Sequence, residues 1–134
     1  MSNSGSVVRI RLRDGRTVDD SSYADIANTV MEKWQKKDKH LTTTKLRSIY
    51  GQIVNVYTKI NVPSDYERYL SDLQYLKVKM AYEAGREDSV KRFLEHTGLM
   101  EALDCVKNYD QFMLYCRYAE SLVAYFKFYG GKDN

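Results

Sequence analysis

Between Asp19 and the paired glycines Gly130 and Gly131, apolar side chains return at steps of three and four residues with little to interrupt them. That is the period of an α-helix buried along one stripe. The 134 residues include one proline and seven glycines. With so few breakers, the chain is confined to helical architectures over most of its length.

Five stripes can be followed. The first holds Tyr23, Ile26, Ala27, Val30 and Trp34 and runs out in a charged linker, Lys36 to His40. The second, Leu46, Ile49, Tyr50, Ile53, Val56, Tyr57 and Ile60, follows Thr42, Thr43 and Thr44, whose hydroxyls suit an N-cap. Pro63 closes it. Ser64 and Glu67 then stand at capping-box spacing. They open a third stripe, Tyr66, Tyr69, Leu70, Leu73, Leu76, Met80 and Ala84, which Gly85 is placed to end. Asp88 or Ser89 caps a fourth, with Val90, Phe93, Leu94, Leu99, Leu103 and Val106 and a break near Thr97-Gly98. Asn108 or Asp110 starts the fifth, with Phe112, Tyr115, Cys116, Ala119, Leu122, Val123 and Phe126 inward. Together they predict an all-α fold, a compact five-helix bundle.

The residues before Asp19 follow another period. Val8-Arg-Ile-Arg-Leu-Arg13 alternates apolar and basic side chains as a strand does, and Asp14-Gly15 can turn it back into a short hairpin. A lone hairpin is marginal in water, so this arm needs a partner surface or stays mobile. Arg9, Arg11, Arg13 and Arg16 then form either one charged edge able to touch nucleic acid or a solubilising tail. The expected organisation is a basic arm over residues 1–20 and a single helical-bundle domain over 21–134.

Composition removes function classes before it suggests one. A chain of 134 residues can bury a core without staples or metals, and 43% hydrophobic residues argue against disorder. No apolar leader or membrane-spanning stretch stands out, which points to the cytoplasm. Cys105 and Cys116 lack the further Cys or His at ligand spacing that a zinc site requires, and they read as small buried hydrophobes. His40 and His96 neighbour no Ser or Cys nucleophile in sequence. There is no phosphate-binding glycine loop, dinucleotide fingerprint, nucleophile elbow or HExxH. Asp19-Asp20 and Glu87-Asp88 read as caps or loop charge. The expectation is a chain that is not an enzyme, with no catalytic residue, metal or cofactor; an RNA-processing nuclease using His96 or Glu87 is the minor alternative.

Basic residues interleaved with rings remain. Net charge is only +3, from 21 basic and 18 acidic residues, so their distribution must carry the argument. The polar face of the second segment, Lys45, Ser48, Gln52, Asn55 and Lys59, carries cations and amides but no carboxylate. A solvated helix face usually mixes signs, so this one suits either phosphate or ordinary solvent. In the third segment the acids Asp65, Glu67 and Asp72 precede the bases Lys77, Lys79 and Arg86, and dipole compensation explains part of that cluster. Twelve tyrosines are able to stack on bases, although most tyrosines of a helical protein are amphipathic core edges.

Three blocks, taken in order, carry a family resemblance: Leu41-Thr-Thr-Thr-Lys-Leu-Arg47, then Leu76-Lys-Val-Lys-Met-Ala-Tyr-Glu-Ala-Gly-Arg86, then Arg117 to Asp133 with its closing Tyr-Phe-Lys-Phe-Tyr-Gly-Gly. Over about residues 41 to 133 the chain resembles the small helical subunit of type III-A, or Csm-type, CRISPR interference complexes. The resemblance implies a non-catalytic, RNA-associated building block for antiviral defence. Such subunits stack in several copies along the guide and target RNA, beside a larger backbone subunit and a large subunit to which the activities are attributed. It also implies that Lys45, Arg47, Lys77, Lys79, Arg86, Arg117 and Lys127, cations of those blocks, face RNA or an adjacent subunit. Lys59 joins them as a candidate from the carboxylate-free face of the second segment, and Tyr125, Phe128 and Tyr129, which the fifth stripe leaves outside, are expected to contact a neighbouring subunit. Arg86 also suits pairing with helix-end carbonyls, and Arg117 a bridge to Glu120 or to an acid on a neighbouring helix. The arginine arm matches no block of the family.

Two readings therefore stand. One is an RNA-lining structural subunit that contacts phosphates without sequence specificity. The other is a helical protein-interaction adaptor whose aromatic C-terminal face docks a partner while its charges are merely solvated.

Overall fold

A small antiparallel ribbon precedes a series of helices in a computed structural model that describes residues 8–12, 14–38 and 40–131. In chain order these are β1 Arg9–Arg11, β2 Thr17–Asp19, α1 Tyr23–Lys37, α2 Thr43–Tyr57, α3 Asp65–Arg68, α4 Leu70–Arg86, α5 Asp88–Thr97, α6 Leu99–Asp104 and α7 Tyr109–Phe128. Apart from the ribbon the protein is helical, as the all-α reading requires. The expected five segments appear as seven helices among the described residues, for two local reasons. Tyr69, at φ −110° and ψ 26°, leaves helical geometry and separates α3 from α4. Gly98 adopts the left-handed conformation at φ 71° and separates α5 from α6.

Helix α7 is the element on which the others rest, spanning about 30 Å by its 20 residues. Its N-cap is Asn108, whose Oδ1 accepts the Gln111 N–H at 2.9 Å. Phe112, Leu114, Tyr115, Cys116, Tyr118, Ala119, Leu122 and Phe126 are buried along it, a stripe wider than one partner could cover. The breadth follows from packing: α1, α2, α6 and β1 all touch α7. The helix closes at the double glycine. Gly130 turns left-handed at φ 86°, its N–H donates to the Lys127 carbonyl at 3.0 Å, and the Gly131 N–H donates to the Phe126 carbonyl at 2.9 Å. A side chain at Gly131 would overlap the Phe126 ring.

The other boundaries follow sequence chemistry in part. Thr42 caps α2, its hydroxyl accepting the Lys45 N–H at 3.2 Å. The capping box at Ser64 does not form: Ser64 is itself helical in φ and ψ and makes no cap bond. The Asp65 carboxylate instead accepts the N–H groups of Asn61 and Val62 at 3.0 and 3.3 Å. Gly85 does not end α4, which runs on to Arg86 and stops at the extended residue Glu87. Two residues expected in apolar stripes are exposed, Tyr57 at 45% and Leu70 at 41%.

The ribbon pairs Ile10 with Val18, and both are buried. With Leu12 they join the same apolar cluster as the helices. Three polar contacts fix the ribbon in place. Gln111 Nε2 donates to the Arg9 carbonyl at 3.1 Å, Cys105 Sγ to the Arg11 carbonyl at 3.3 Å, and Arg16 to the His96 carbonyl at 3.1 Å. The surface that a hairpin needs is thus supplied by the bundle itself. Arg9 and Arg11 point outward, whereas Arg16 also folds onto Asp14 at 2.6 Å; Arg13 lies outside the described residues.

Candidate nucleic-acid interface

Helices α2 and α4 lie side by side and antiparallel, and two ion pairs mark the ends of their seam. Lys45 Nζ meets Glu87 Oε1 at 2.7 Å where α2 begins, and Lys59 Nζ meets Asp72 Oδ2 at 2.7 Å just beyond its end. The hydrogen bond and charge of Lys45 hold the Glu87 carboxyl below its ordinary range, and Asp72 raises the Lys59 ammonium. The carboxylates missing from that face of α2 are therefore supplied by its neighbour. Such half-exposed pairs are individually weak, so either lysine can exchange its carboxylate for a phosphate at little cost.

The outward face of α4 has a different character. Leu73, Leu76 and Met80 point into the core, so Tyr75, Val78 and Tyr82 stand opposite them, at 60%, 59% and 63% exposure. Each ring carries a cation four residues on. Lys79 Nζ lies 4.8 Å from the Tyr75 centroid, and the Arg86 guanidinium carbon 5.6 Å from that of Tyr82. Ser71, Gln74 and Gly85 complete the exposed face, and Glu83, half-buried one turn beyond Lys79, stands at its edge. Asp72 turns aside to Lys59. The Lys45–Glu87 pair sets the start of α2 beside the end of α4, so Arg47, exposed on α2, stands at the same end of the helix pair as Arg86.

The remaining candidate residues are dispersed. Lys77 occupies the other edge of α4 and pairs with Asp104 at 3.2 Å. Arg117 is on α7, with no ion pair to Glu120; the Tyr23 hydroxyl nearby raises its pKa further. Lys127 lies in the last turn of α7 beside a ring cluster: Phe128 packs edge-on against Tyr125 at 6.1 Å and Tyr129 at 5.0 Å. Phe128 is 73% exposed, while the Tyr129 hydroxyl donates to Asn28 Oδ1 on α1. The cations thus fall into one group on α2 and α4 and three separate positions.

Sequence reasoning selects Lys79 and Arg86 but misses Tyr75, Val78 and Tyr82. Their signal is present: they follow one another by three and four residues on the side of the helix opposite Leu73, Leu76 and Met80. An apolar row on a polar face marks a surface that meets something.

The groups considered for catalysis are engaged in structure. His96 Nε2 donates to the Val30 carbonyl at 3.0 Å, and its ring lies 5.5 Å from Trp34. Cys116 is buried, and burial pushes its thiol pKa up; Cys105 is half-buried and unpaired with it. Among the described residues no three His, Cys, Asp or Glu side chains come together as a metal site would require. No described helix is long and apolar enough to cross a membrane.

Comparison with known proteins agrees with the three-block resemblance. The chain is similar to three proteins described as "CRISPR system Cms protein Csm2". The one from Streptococcus thermophilus is 38% identical over 117 residues, covering 85% of this chain and 96% of its own. The one from Enterococcus italicus is 47% identical over 95 residues, covering 66% and 68%. A third, from Mycobacterium tuberculosis, is 36% identical over 103 residues, 74% and 83% of the two chains. The Csm2 Type III-A family profile matches residues 19–132, a span that takes in every described helix, and the chain belongs to that family.

Proposed function

We propose that this chain is a non-catalytic structural subunit of a type III-A CRISPR ribonucleoprotein effector, associated with its RNA in the cytoplasm and contacting phosphates without regard to sequence. Several copies stack along the guide and target RNA, beside the backbone and large subunits. The observation that carries this reading is the outer face of α4, where Lys79 and Arg86 are set among exposed rings, with Arg47 at the same end of α2. Such a row of cations neutralises phosphates and releases counterions, and it reads no base edge. Lys45 and Lys59 flank the face and contribute by exchanging carboxylate for phosphate; Lys77, Arg117 and Lys127, away from it, are further cations able to meet RNA or an adjacent subunit. The exposed ring of Phe128, with Tyr125 and Tyr129 behind it, supports a subunit contact at the C-terminal end of α7.

The test is charge reversal in the assembled complex. Arg47→Glu, Lys79→Glu and Arg86→Glu together are expected to weaken RNA association for all sequences. They are also expected to flatten its salt dependence, by about one unit of log–log slope for each phosphate no longer neutralised. An unchanged affinity and slope would contradict the proposal and return the surface to protein contacts, the adaptor reading.

A further inference from the structure

Resting on the RNA-associated reading above, we infer that the outer face of α4 is a base-stacking platform, on which Tyr75 and Tyr82 each take one unpaired nucleobase while Lys79 and Arg86 hold the adjoining phosphates. The ligand class is single-stranded RNA, or the splayed-out bases of an opened strand, and not a closed duplex.

Three observations carry it. The rings are exposed where a core-facing tyrosine would be covered, at 60% and 63%, with Val78 at 59% between them. Solvation alone does not account for this row, because water gains nothing from three apolar groups in line. Next, each ring is paired with a cation at the same helical offset, Lys79 with Tyr75 and Arg86 with Tyr82. The cation occupies one side of the ring, and the exposed remainder is open to the π-face of a base, which every nucleobase possesses. Last, the pair repeats after seven residues, so the two units are spaced about 10 Å along the helix, on the order of three phosphate steps of a helical strand. Ring, cation, ring, cation along one helix, with Glu83 half-buried at the edge of that face, matches a chain of bases and phosphates in repeat and in the sign of the charge beside each ring. A partner protein surface would be expected to meet such a row of cations with acids and would have no need of the repeat. A closed duplex presents its bases edge-on and offers no π-face to a tyrosine except at its ends.

The experiment uses the full chain with three probes carrying equal numbers of phosphates per strand: a single-stranded 12-nucleotide RNA, an abasic strand of the same length, and a blunt duplex. Since Tyr75 and Tyr82 are exposed, their substitution leaves folding intact, which the melting temperature verifies. The wild-type chain is expected to prefer the base-containing single strand over the abasic one by at least about tenfold. Tyr75→Leu with Tyr82→Leu removes that preference, Tyr75→Phe with Tyr82→Phe restores it, and the salt slope is the same in all three proteins. Equal affinity of the wild type for the base-containing and abasic strands would overturn the inference, as would an equal loss on both strands in the leucine variant. Salt-dependent binding that ignores the bases would leave the phosphate reading standing while the stacking platform fails. Absence of any salt-dependent binding would refute both together. Loss of the leucine variant from the assembled complex with RNA affinity unchanged would assign the face to a protein partner and overturn the inference.

Discussion

Tyr118 and Tyr75 show the two uses this chain makes of one residue type. Tyr118 is wholly buried, its hydroxyl donates to the Thr97 carbonyl at 2.7 Å, and burial pushes its phenol pKa up to about 12. Tyr118→Phe strands that carbonyl and is expected to cost about 1–2 kcal/mol in urea unfolding, whereas Tyr75→Phe is expected to stay within about 0.5 kcal/mol of wild type. The sequence does not separate such cases well. Tyr118 falls outside the stripe that periodicity assigns to α7, because the width of a buried stripe depends on how many neighbours cover the helix, and that number is a tertiary fact. Tyr57 errs in the opposite sense, lying in the apolar row of α2 yet 45% exposed. The cysteines offer a second check at this scale. A maleimide at mildly alkaline pH is expected to modify half-buried Cys105 first and to reach Cys116 only on unfolding, since burial both covers that thiol and raises its pKa. Equal labelling rates in the native chain would contradict the burial of Cys116.

Elements are legible where their signals are local. Thr42 and Asn108 cap α2 and α7 as their positions before apolar stripes suggest, and the double glycine closes α7. Signals that depend on another element mislead. Ser64 has capping-box spacing, but Asp65 takes the turn's amides first. Gly98 shows how a local and a tertiary demand coincide. It must be left-handed to part α5 from α6, and a Cβ there would stand 2.8 Å from Leu12 Cδ1 in the segment leaving β1. Gly98→Ala is therefore expected to cost about 1–3 kcal/mol by strain and to loosen the ribbon, read as faster amide exchange at Leu12 and Gly15. A neutral substitution would mean that the ribbon does not pack on this turn. The end of α1 is pinned to α5 by Asp38, whose carboxylate accepts from Arg92 Nε at 2.6 Å and from the His40 N–H at 2.9 Å. Burial opposes its ionisation, but Arg92 and His40 outweigh burial and hold the carboxyl below its ordinary range. Its stabilisation is complete above the unfolded carboxylate value of about 4 and is lost as pH falls through the lower folded value. Asp38→Asn is expected to cost about 1 kcal/mol at pH 7 and nothing once the wild-type carboxyl is protonated, a difference that thermal melts from pH 7 to pH 2 would read.

For the molecule as a whole, the all-α class is legible because stripe follows stripe at one period, and the family is legible because three blocks keep their order to the C-terminus. The interface is only half legible. On α2 a carboxylate-free face stands out in isolation, and the fold brings Asp72 and Glu87 to it from the two ends of α4. On α4 the dipole pattern of early acids and late bases hides what the fold exposes, because Asp72 turns to Lys59 and leaves Tyr75, Val78, Lys79, Tyr82 and Arg86 on the outer face, with half-buried Glu83 at its edge. Charge read along a sequence thus differs from charge read across a surface. Whether RNA meets this surface, and not the other edge of α4 or the end of α7, is decided by ultraviolet crosslinking in the assembled type III-A complex, with the attached residues mapped by mass spectrometry. Adducts are expected on α4 at Tyr75 and Tyr82, with further ones at the start of α2. Adducts confined to the Lys77 edge or to the C-terminal rings, with α4 unmodified on its outer face, would contradict RNA binding there.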